Sequence, residues 1–180
     1  MKKMMMVILV LCFILMGCTR QKNEKLINSI TENSNFKYTL LTEVTEDIKS
    51  EFTILDGFGV YMLVDPSINP DEYDVLGFME DNQTTYYHVT AYPDHIDGGE
   101  FITRIDTSDP NIYIYDLSVG DIYSKQELND YMETIDFYPH EENESIYINE
   151  GVKIRVYKTI DTITQLTVEV EVTNKEGIIF

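Results

Sequence analysis

Hydrophobic residues follow three different spacings along the chain, and each spacing predicts a different kind of segment. Residues 4–16 form an unbroken apolar run close to the N-terminus. Residues 125–135 place apolar side chains at the spacing of an amphipathic helix, and from Ile146 onward apolar and polar residues alternate as in strands with one buried face. The pattern therefore predicts an apolar leader, a helix and a set of strands.

The start of the helix is marked by Ser124 and Glu127, which have the spacing of a capping box. In this motif the serine hydroxyl accepts from the amide of the glutamate, and the glutamate carboxylate accepts from the amide of the serine. The apolar face then consists of Leu128, Tyr131, Met132 and Ile135. A helix of about two to three turns is expected, with one face on the core.

Three strands are predicted behind this helix. Ile146 and Ile148 precede the turn Asn149-Glu150-Gly151, and alternation resumes from Val152 to Val156. A period of two on both sides of a glycine turn predicts a hairpin. Alternation over Leu166–Val172 adds a third strand, so the helix is expected to lead into a three-strand antiparallel meander.

The upstream part of the chain predicts further strands. They are Phe36–Val44, Phe58–Val64, Tyr86–Ala91, Phe101–Ile105 and Ile112–Leu117, with a helix start at Asn69-Pro70-Asp71-Glu72. We expect a single α+β domain, mainly antiparallel sheet with about two short helices on one face. Two similar halves, about 36–106 and 112–172, remain open as an internal repeat.

The apolar leader has the features of an export signal. Lys2 and Lys3 precede its 13 apolar residues, fewer than the roughly 20 that an α-helix needs to cross a bilayer. Leu15-Met16-Gly17-Cys18 resembles the lipobox of bacterial lipoproteins, although Met16 replaces the small residue usual there. The resemblance implies attachment of a diacylglyceryl group to Cys18 and cleavage before it. An ordinary secretory signal is the alternative.

Processing at this position divides the chain into three parts. Residues 1–17 are a signal peptide, 18–35 carry the lipid anchor and a polar tether, and 36–180 form the globular domain. A short helix docked on the domain through Leu26, Ile27 and Ile30 is the alternative to the tether. Cys12 leaves with the signal, so the mature chain keeps one cysteine and forms no internal disulfide. The expected location is the cell membrane, on its extracytoplasmic side.

The charge of the chain excludes one class of partner. Of 13 Lys and Arg residues, two leave with the signal, so 11 remain against 32 Asp and Glu, a net charge of −21. Nucleic acid binding depends on basic side chains that displace counterions. A nucleic acid partner is therefore excluded, and an anionic bilayer surface would also be repelled.

Residues 112–172 bear a second resemblance. A Gly120-Asp121 step, a helix and a meander follow each other as in the SmpA and β-lactamase-inhibitory-protein group of periplasmic and secreted modules. The resemblance implies a binding or assembly module without catalysis, and it carries over no site residue.

Candidate chemistry is sparse in this sequence. No nucleophile elbow, zinc-protease motif, phosphate loop or Cys-x-x-Cys pair occurs. His88, His95 and His140 lie far apart in sequence, which does not predict a metal centre. We expect no catalytic residue and no cofactor, and a binding domain of unknown ligand.

Two alternatives depend on carboxylates. A hydrolase could use Asp94 with Asp97, or Asp106 with Asp109, as an acid and base pair. Separately, Asp94, Asp97 and Glu100 could offer oxygen ligands to calcium, although Ile96 interrupts the spacing that an EF-hand loop requires. The simpler interpretation of the loop is a turn with solvated carboxylates.

Overall fold

An eight-stranded antiparallel sheet organises residues 25–57, 60–64, 85–91 and 99–170, which are the residues that the structure, a computed structural model, describes. Its strands are β1 (Thr53–Gly57), β2 (Val60–Val64), β3 (Thr85–Ala91), β4 (Glu100–Thr107), β7 (Tyr138–His140), β8 (Asn143–Asn149), β9 (Val152–Thr159) and β10 (Thr162–Val170). Strands β5 (Tyr113–Ile114) and β6 (Leu117–Ser118) form a separate hairpin. The helices of this part of the chain are α1 at residues 25–32, α2 (Glu46–Lys49) and α3 (Lys125–Thr134).

The sheet has the strand order β1-β2-β3-β4-β10-β9-β8-β7, and every neighbouring pair is antiparallel. It therefore consists of two four-stranded meanders, which meet where Ile105 of β4 lies opposite Val168 of β10. This architecture confirms the predicted α+β fold. An internal repeat over residues 36–106 and 112–172 stays a prediction, since topology by itself does not establish sequence similarity.

One apolar cluster lies between the helices and one face of the sheet. Along β9, Val152, Ile154 and Val156 are buried, while the residues between them are only half-buried. Ile30 of α1 and Met132 of α3 belong to the same cluster. The alternation that predicts strands in the sequence thus also separates a core face from a second, more polar face.

Helix α3 begins as predicted. The amide of Glu127 donates to the Ser124 hydroxyl over 3.3 Å, and the amide of Ser124 donates to the Glu127 carboxylate over 2.9 Å. Hydrogen bonds from the Ser124 hydroxyl and amide hold the pKa of Glu127 below its usual value. Leu128 and Met132 are buried on the core side of the helix.

Most predicted strands are confirmed. Strands β8 and β9 form the expected hairpin, with Asn149 opposite Val152, and β10 supplies the third strand. The meander has four strands because Tyr138–His140 also pairs with β8. The predictions at Tyr86–Ala91 and Phe101–Ile105 fall within β3 and β4, and Phe58–Val64 overlaps β2. Strand β1 was not predicted.

Two predicted strands are wrong, and left-handed residues explain both. In Phe36–Val44, Leu41 has φ 62, which turns the chain and leaves a single bridge between Glu43 and Phe101. In Ile112–Leu117, Tyr115 and Asp116 have φ 47 and 64. Two consecutive left-handed residues reverse the chain in a two-residue turn. This segment is therefore the β5–β6 hairpin and not a strand of the main sheet.

The predicted tether is wrong from residue 25 onward. Residues 25–32 are helical, and Ile27 and Ile30 of this helix are buried in the core. The amide of Tyr115 donates to the carbonyl of Asn33 over 2.6 Å, and its hydroxyl donates to the Ser29 hydroxyl over 2.9 Å. The docked helix, the alternative to the tether, is what the chain forms, because the core buries the apolar face of a helix too short to be stable alone.

Several sequence predictions fall on other parts of the chain. The leader and Cys18, the helix start at 69–72, the loop at 92–98 and the end of the last predicted strand at 171–172 lie outside the described residues. Within the described ranges, no helix has both the length and the apolar character needed to cross a membrane.

The docking of α1 predicts a clear difference between two substitutions on that helix. Ile30→Ala should lower the free energy of unfolding by about 2–4 kcal/mol, because it leaves a cavity in the core. Asn28→Ala, at an exposed position of the same helix, should change it by less than about 0.5 kcal/mol. Urea unfolding followed by circular dichroism measures both. Equal small effects would mean that α1 does not pack on the domain.

Candidate functional site

Polar residues collect on the face of the sheet that points away from the core, at its central strands. Asp106 of β4 lies opposite Tyr86 of β3 on one side and Thr167 of β10 on the other. Arg104, two residues earlier on β4, lies opposite His88. We call Asp106, His88, Arg104 and Thr167 the Asp106 cluster. It occupies the junction between the two meanders.

A β-bulge positions part of this cluster. The register between β3 and β4 shifts after His88, so that Arg104 faces His88 while Val89 faces Ile102. Thr103 is the extra residue, and its hydroxyl lies 2.9 Å from that of Thr90. Residues two apart in a regular strand point to the same face. The extra residue between Ile102 and Arg104 instead places Ile102 on the core side and Arg104 on the polar side.

The carboxylate of Asp106 is bound on both oxygens. Its Oδ1 accepts from Nε and Nη2 of Arg104, each over 2.9 Å, and from the Thr167 hydroxyl. Its Oδ2 forms a short contact with Nε2 of His88. Asp106 and Thr167 are 1% and 0% exposed, so this bonding takes place away from water.

These contacts decide the ionisation of Asp106. Burial alone would raise the pKa of its carboxyl, but the hydrogen bond and the charge interaction with His88, the Arg104 guanidinium and the Thr167 hydroxyl outweigh it. The pKa of Asp106 is therefore lower than usual, and the group is a carboxylate at neutral pH.

The bonding of Asp106 limits what it can do chemically. An acid–base catalyst has to exchange a proton with a substrate, whereas both oxygens of Asp106 are engaged with protein groups. What the carboxylate does is orient His88 and Arg104, whose side chains keep 18% and 34% of their surface exposed. The arrangement leaves an imidazole and a guanidinium, both held by Asp106, partly exposed on this face.

The polar face continues across β10, β9 and β8. Arg155 of β9 binds Glu169 of β10 with an N–O distance of 3.0 Å, and both side chains are about a quarter exposed. Ile148 and Tyr138 lie opposite each other on β8 and β7, and they help to line an open depression of about 450 Å³. Cationic, apolar and aromatic side chains therefore share this half of the face.

The two described carboxylates of the alternative hydrolase site have different hydrogen-bond partners. Asp109 accepts from the backbone amide and the side-chain amide of Asn111, over 2.8 and 2.9 Å. No hydrogen bond joins it to Asp106, whose partners belong to the Asp106 cluster. An acid and base pair formed by Asp106 and Asp109 therefore stays a prediction. The other pair, Asp94 and Asp97, lies outside the described residues.

The remaining candidate ligands are also dispersed. Glu100, the described member of the proposed calcium loop, pairs with Lys49 over 2.7 Å. His140 accepts from the amide of Glu142 over 3.1 Å at the edge of the sheet, far along the strand order from His88. His95 is outside the described ranges. Within those ranges, no group of three or more His, Cys, Asp or Glu residues could hold a metal ion.

Comparison with known proteins adds no relative. No protein-family model matches the chain, and neither a curated protein nor a solved structure matches it. Its function therefore has to be argued from its own residues.

Sequence patterns point to only part of the Asp106 cluster. Arg104 and Asp106 are two residues apart, a spacing that places both on one face of a strand while Ile105 between them points to the other face, although the predicted strand ends at Ile105. Nothing in the sequence shows that His88 and Thr167 pair beside them. That proximity depends on the β3–β4 and β4–β10 registers.

The Asp106 cluster predicts a pH-dependent stability. Asp106→Asn should lower the free energy of unfolding by about 1–3 kcal/mol near neutral pH, because it leaves His88 and Arg104, which are partly buried, without their counter-charge. Since the pKa of Asp106 is lowered on folding, the carboxylate stabilises the fold above about pH 4 and this contribution is lost as the pH falls further. The free energies of unfolding of the wild type and the variant should therefore become similar in acid.

Urea unfolding between about pH 2 and 7 measures this difference. Glu169→Gln is the matched control, because it removes a carboxylate from a half-exposed pair on the same face. It should cost at most about 1 kcal/mol. If the free energies of unfolding of the wild type and Asp106→Asn differed by the same amount at every pH, the lowered pKa of Asp106 would be contradicted.

Proposed function

We propose that this chain is a lipoprotein attached through Cys18 to the extracytoplasmic side of a bacterial cell membrane, with a globular domain that binds a ligand or an envelope protein without catalysing a reaction. The observation that carries the proposal is the order of Lys2, Lys3, the apolar run and Leu15-Met16-Gly17-Cys18. A diacylated cysteine gives two acyl chains, which anchor a protein stably where one chain is marginal.

The docked helix limits the distance between domain and membrane. At most six residues, 19–24, separate the lipid-bearing Cys18 from α1. Even fully extended they reach about 25 Å. The domain is therefore held near the headgroups, while its negative charge opposes flat contact with an anionic surface.

Binding by this domain is supported by the polar face of the sheet. The carboxylate oxygens of Asp106 are engaged in hydrogen bonds that orient His88 and Arg104. This arrangement is better suited to recognising a ligand than to transferring a proton. Arg155 and Ile148 extend the same face with charged and apolar groups. Mixed surfaces of this kind are typical of protein interfaces.

The anchor predicts the outcome of one substitution. Cys18→Ala should abolish incorporation of labelled palmitate and leave the protein unprocessed or soluble, because the acceptor sulfur is gone. Cys12→Ala is the matched control, since that cysteine is removed with the signal, and it should leave labelling unchanged. Labelled palmitate on the Cys18→Ala protein would exclude the lipobox assignment.

The binding function predicts a reproducible neighbour in the envelope. Tagged protein cross-linked in intact cells should recover the same partner in repeated experiments, and Cys18→Ala should reduce that recovery because the domain is no longer held at the membrane. Quantitative mass spectrometry of the two samples measures the difference. Repeated absence of any specific partner or bound ligand would count against a binding module.

A further inference from the structure

Two isoleucines project from one end of the β9–β10 hairpin. Ile160 is 90% exposed and is the first residue of the two-residue turn between β9 and β10. Ile122 is 74% exposed and lies in the segment before α3, where it bridges to Thr162 at the other side of that turn. We call Ile122 and Ile160 the isoleucine tip.

Backbone hydrogen bonds hold both parts of the isoleucine tip together. The amide of Gly120 donates to the carbonyl of Ile163 and the amide of Ile163 to the carbonyl of Asp121, each over 2.8 Å. The amide of Tyr123 donates to the carbonyl of Asp161 over 3.0 Å. The two side chains are thus presented from an ordered backbone, which reduces the entropy that a binding event has to remove.

The conformation of Ile160 is unfavourable for its residue type. Its φ of 60 lies in the left-handed region, where a β-branched residue is a rare exception. Two-residue hairpins normally place glycine or asparagine at such a position. Gly120, in the adjacent segment, follows that rule with φ 99. Ile160 is both strained and exposed, so its side chain adds nothing to the stability of this chain alone.

The surroundings of the isoleucine tip are acidic. Asp121 and Asp161 flank it in sequence, and they outnumber Lys158, whose ammonium group donates to the carbonyl of Tyr123 over 2.8 Å. Burial raises the pKa of Tyr123, and the nearby carboxylates of Asp121, Asp116 and Glu127 raise it further. An apolar centre with a negative border is complementary to an apolar pocket with a positive border. A second copy of this chain and an anionic lipid surface carry the wrong charge.

We propose that the isoleucine tip is a docking site for a protein partner that has an apolar pocket bordered by lysine and arginine. Strain in an exposed hydrophobic residue is typical of positions kept for function at the expense of stability. The inference rests on the proposed binding function and deepens it, because it names a surface and the chemistry of the partner. The polar face of the sheet is a separate surface.

The first test locates the contact in living cells. A photoreactive benzoylphenylalanine replaces Ile160, Glu150 or Ile148 in the full-length protein. Glu150 is the matched control, because it is also a left-handed turn residue, φ 51, at the opposite end of β9. Ile148 reports on the polar face. Light should produce a discrete protein adduct from position 160 and none from position 150, and mass spectrometry identifies the partner.

The second test measures affinity with that purified partner and the full chain. Ile160→Gly and Ile122→Ala should each raise Kd about tenfold or more, as expected for central anchor residues. Ile160→Gly should leave Tm unchanged or higher, because glycine relieves the strain. Glu150→Gly relieves comparable strain and should leave Kd unchanged. Binding should weaken as salt rises from about 0.05 to 0.3 M.

Each other outcome overturns the proposal in a distinguishable way. Adducts at position 160 that contain lipid or a second copy of the chain assign the isoleucine tip to the membrane or to self-association. A lower Tm with unchanged Kd for Ile160→Gly makes Ile160 a structural residue. An adduct from position 148 without one from position 160 contradicts docking at the isoleucine tip but agrees with the proposed binding function. The absence of an adduct from all three positions counts against both the docking site and the proposed binding function.

Discussion

Ile105 of β4 lies opposite Val168 of β10, and this register joins two four-stranded meanders into one sheet. Side chains alternate along both strands, so the same register that buries Ile105 and Val168 places Asp106 beside Thr167 on the other face. A slip by one residue would exchange the two faces and bury charge in the core. The helices, which pack on the apolar face, and the polar face both depend on this pairing.

The polar face also contains a buried charge that the fold has to stabilise. A carboxylate as deeply buried as that of Asp106 is tolerable only when its charge and its hydrogen bonds are matched, and Arg104, His88 and Thr167 provide both. The stability of the fold therefore depends on these contacts at the junction of the two meanders. The residues that neutralise Asp106 are the residues that a ligand on this face would meet.

Strain is unevenly distributed over the molecule. Tyr115, whose φ is 47, is held by Asn33, Ser29 and Tyr131, so its turn serves the docking of α1 and α3. Ile160 has a similar backbone but a 90% exposed side chain, so packing within the described part of the chain does little to compensate for it. The difference separates a strained residue that packs inside the domain from one whose side chain faces solvent.

Local patterns in the sequence determined the capping box at Ser124, the β8–β9 hairpin and most strands, and they predict the export signal, because each depends on residues close together in the chain. Tertiary structure decided the rest. Leu41, Tyr115 and Asp116 adopt left-handed conformations that residue type does not predict. These conformations turn the chain within two segments that the sequence predicts as strands. The helix at 25–32 forms because a core is available to bury Ile27 and Ile30. The Asp106 cluster joins residues from three strands, and only the sheet register brings them together.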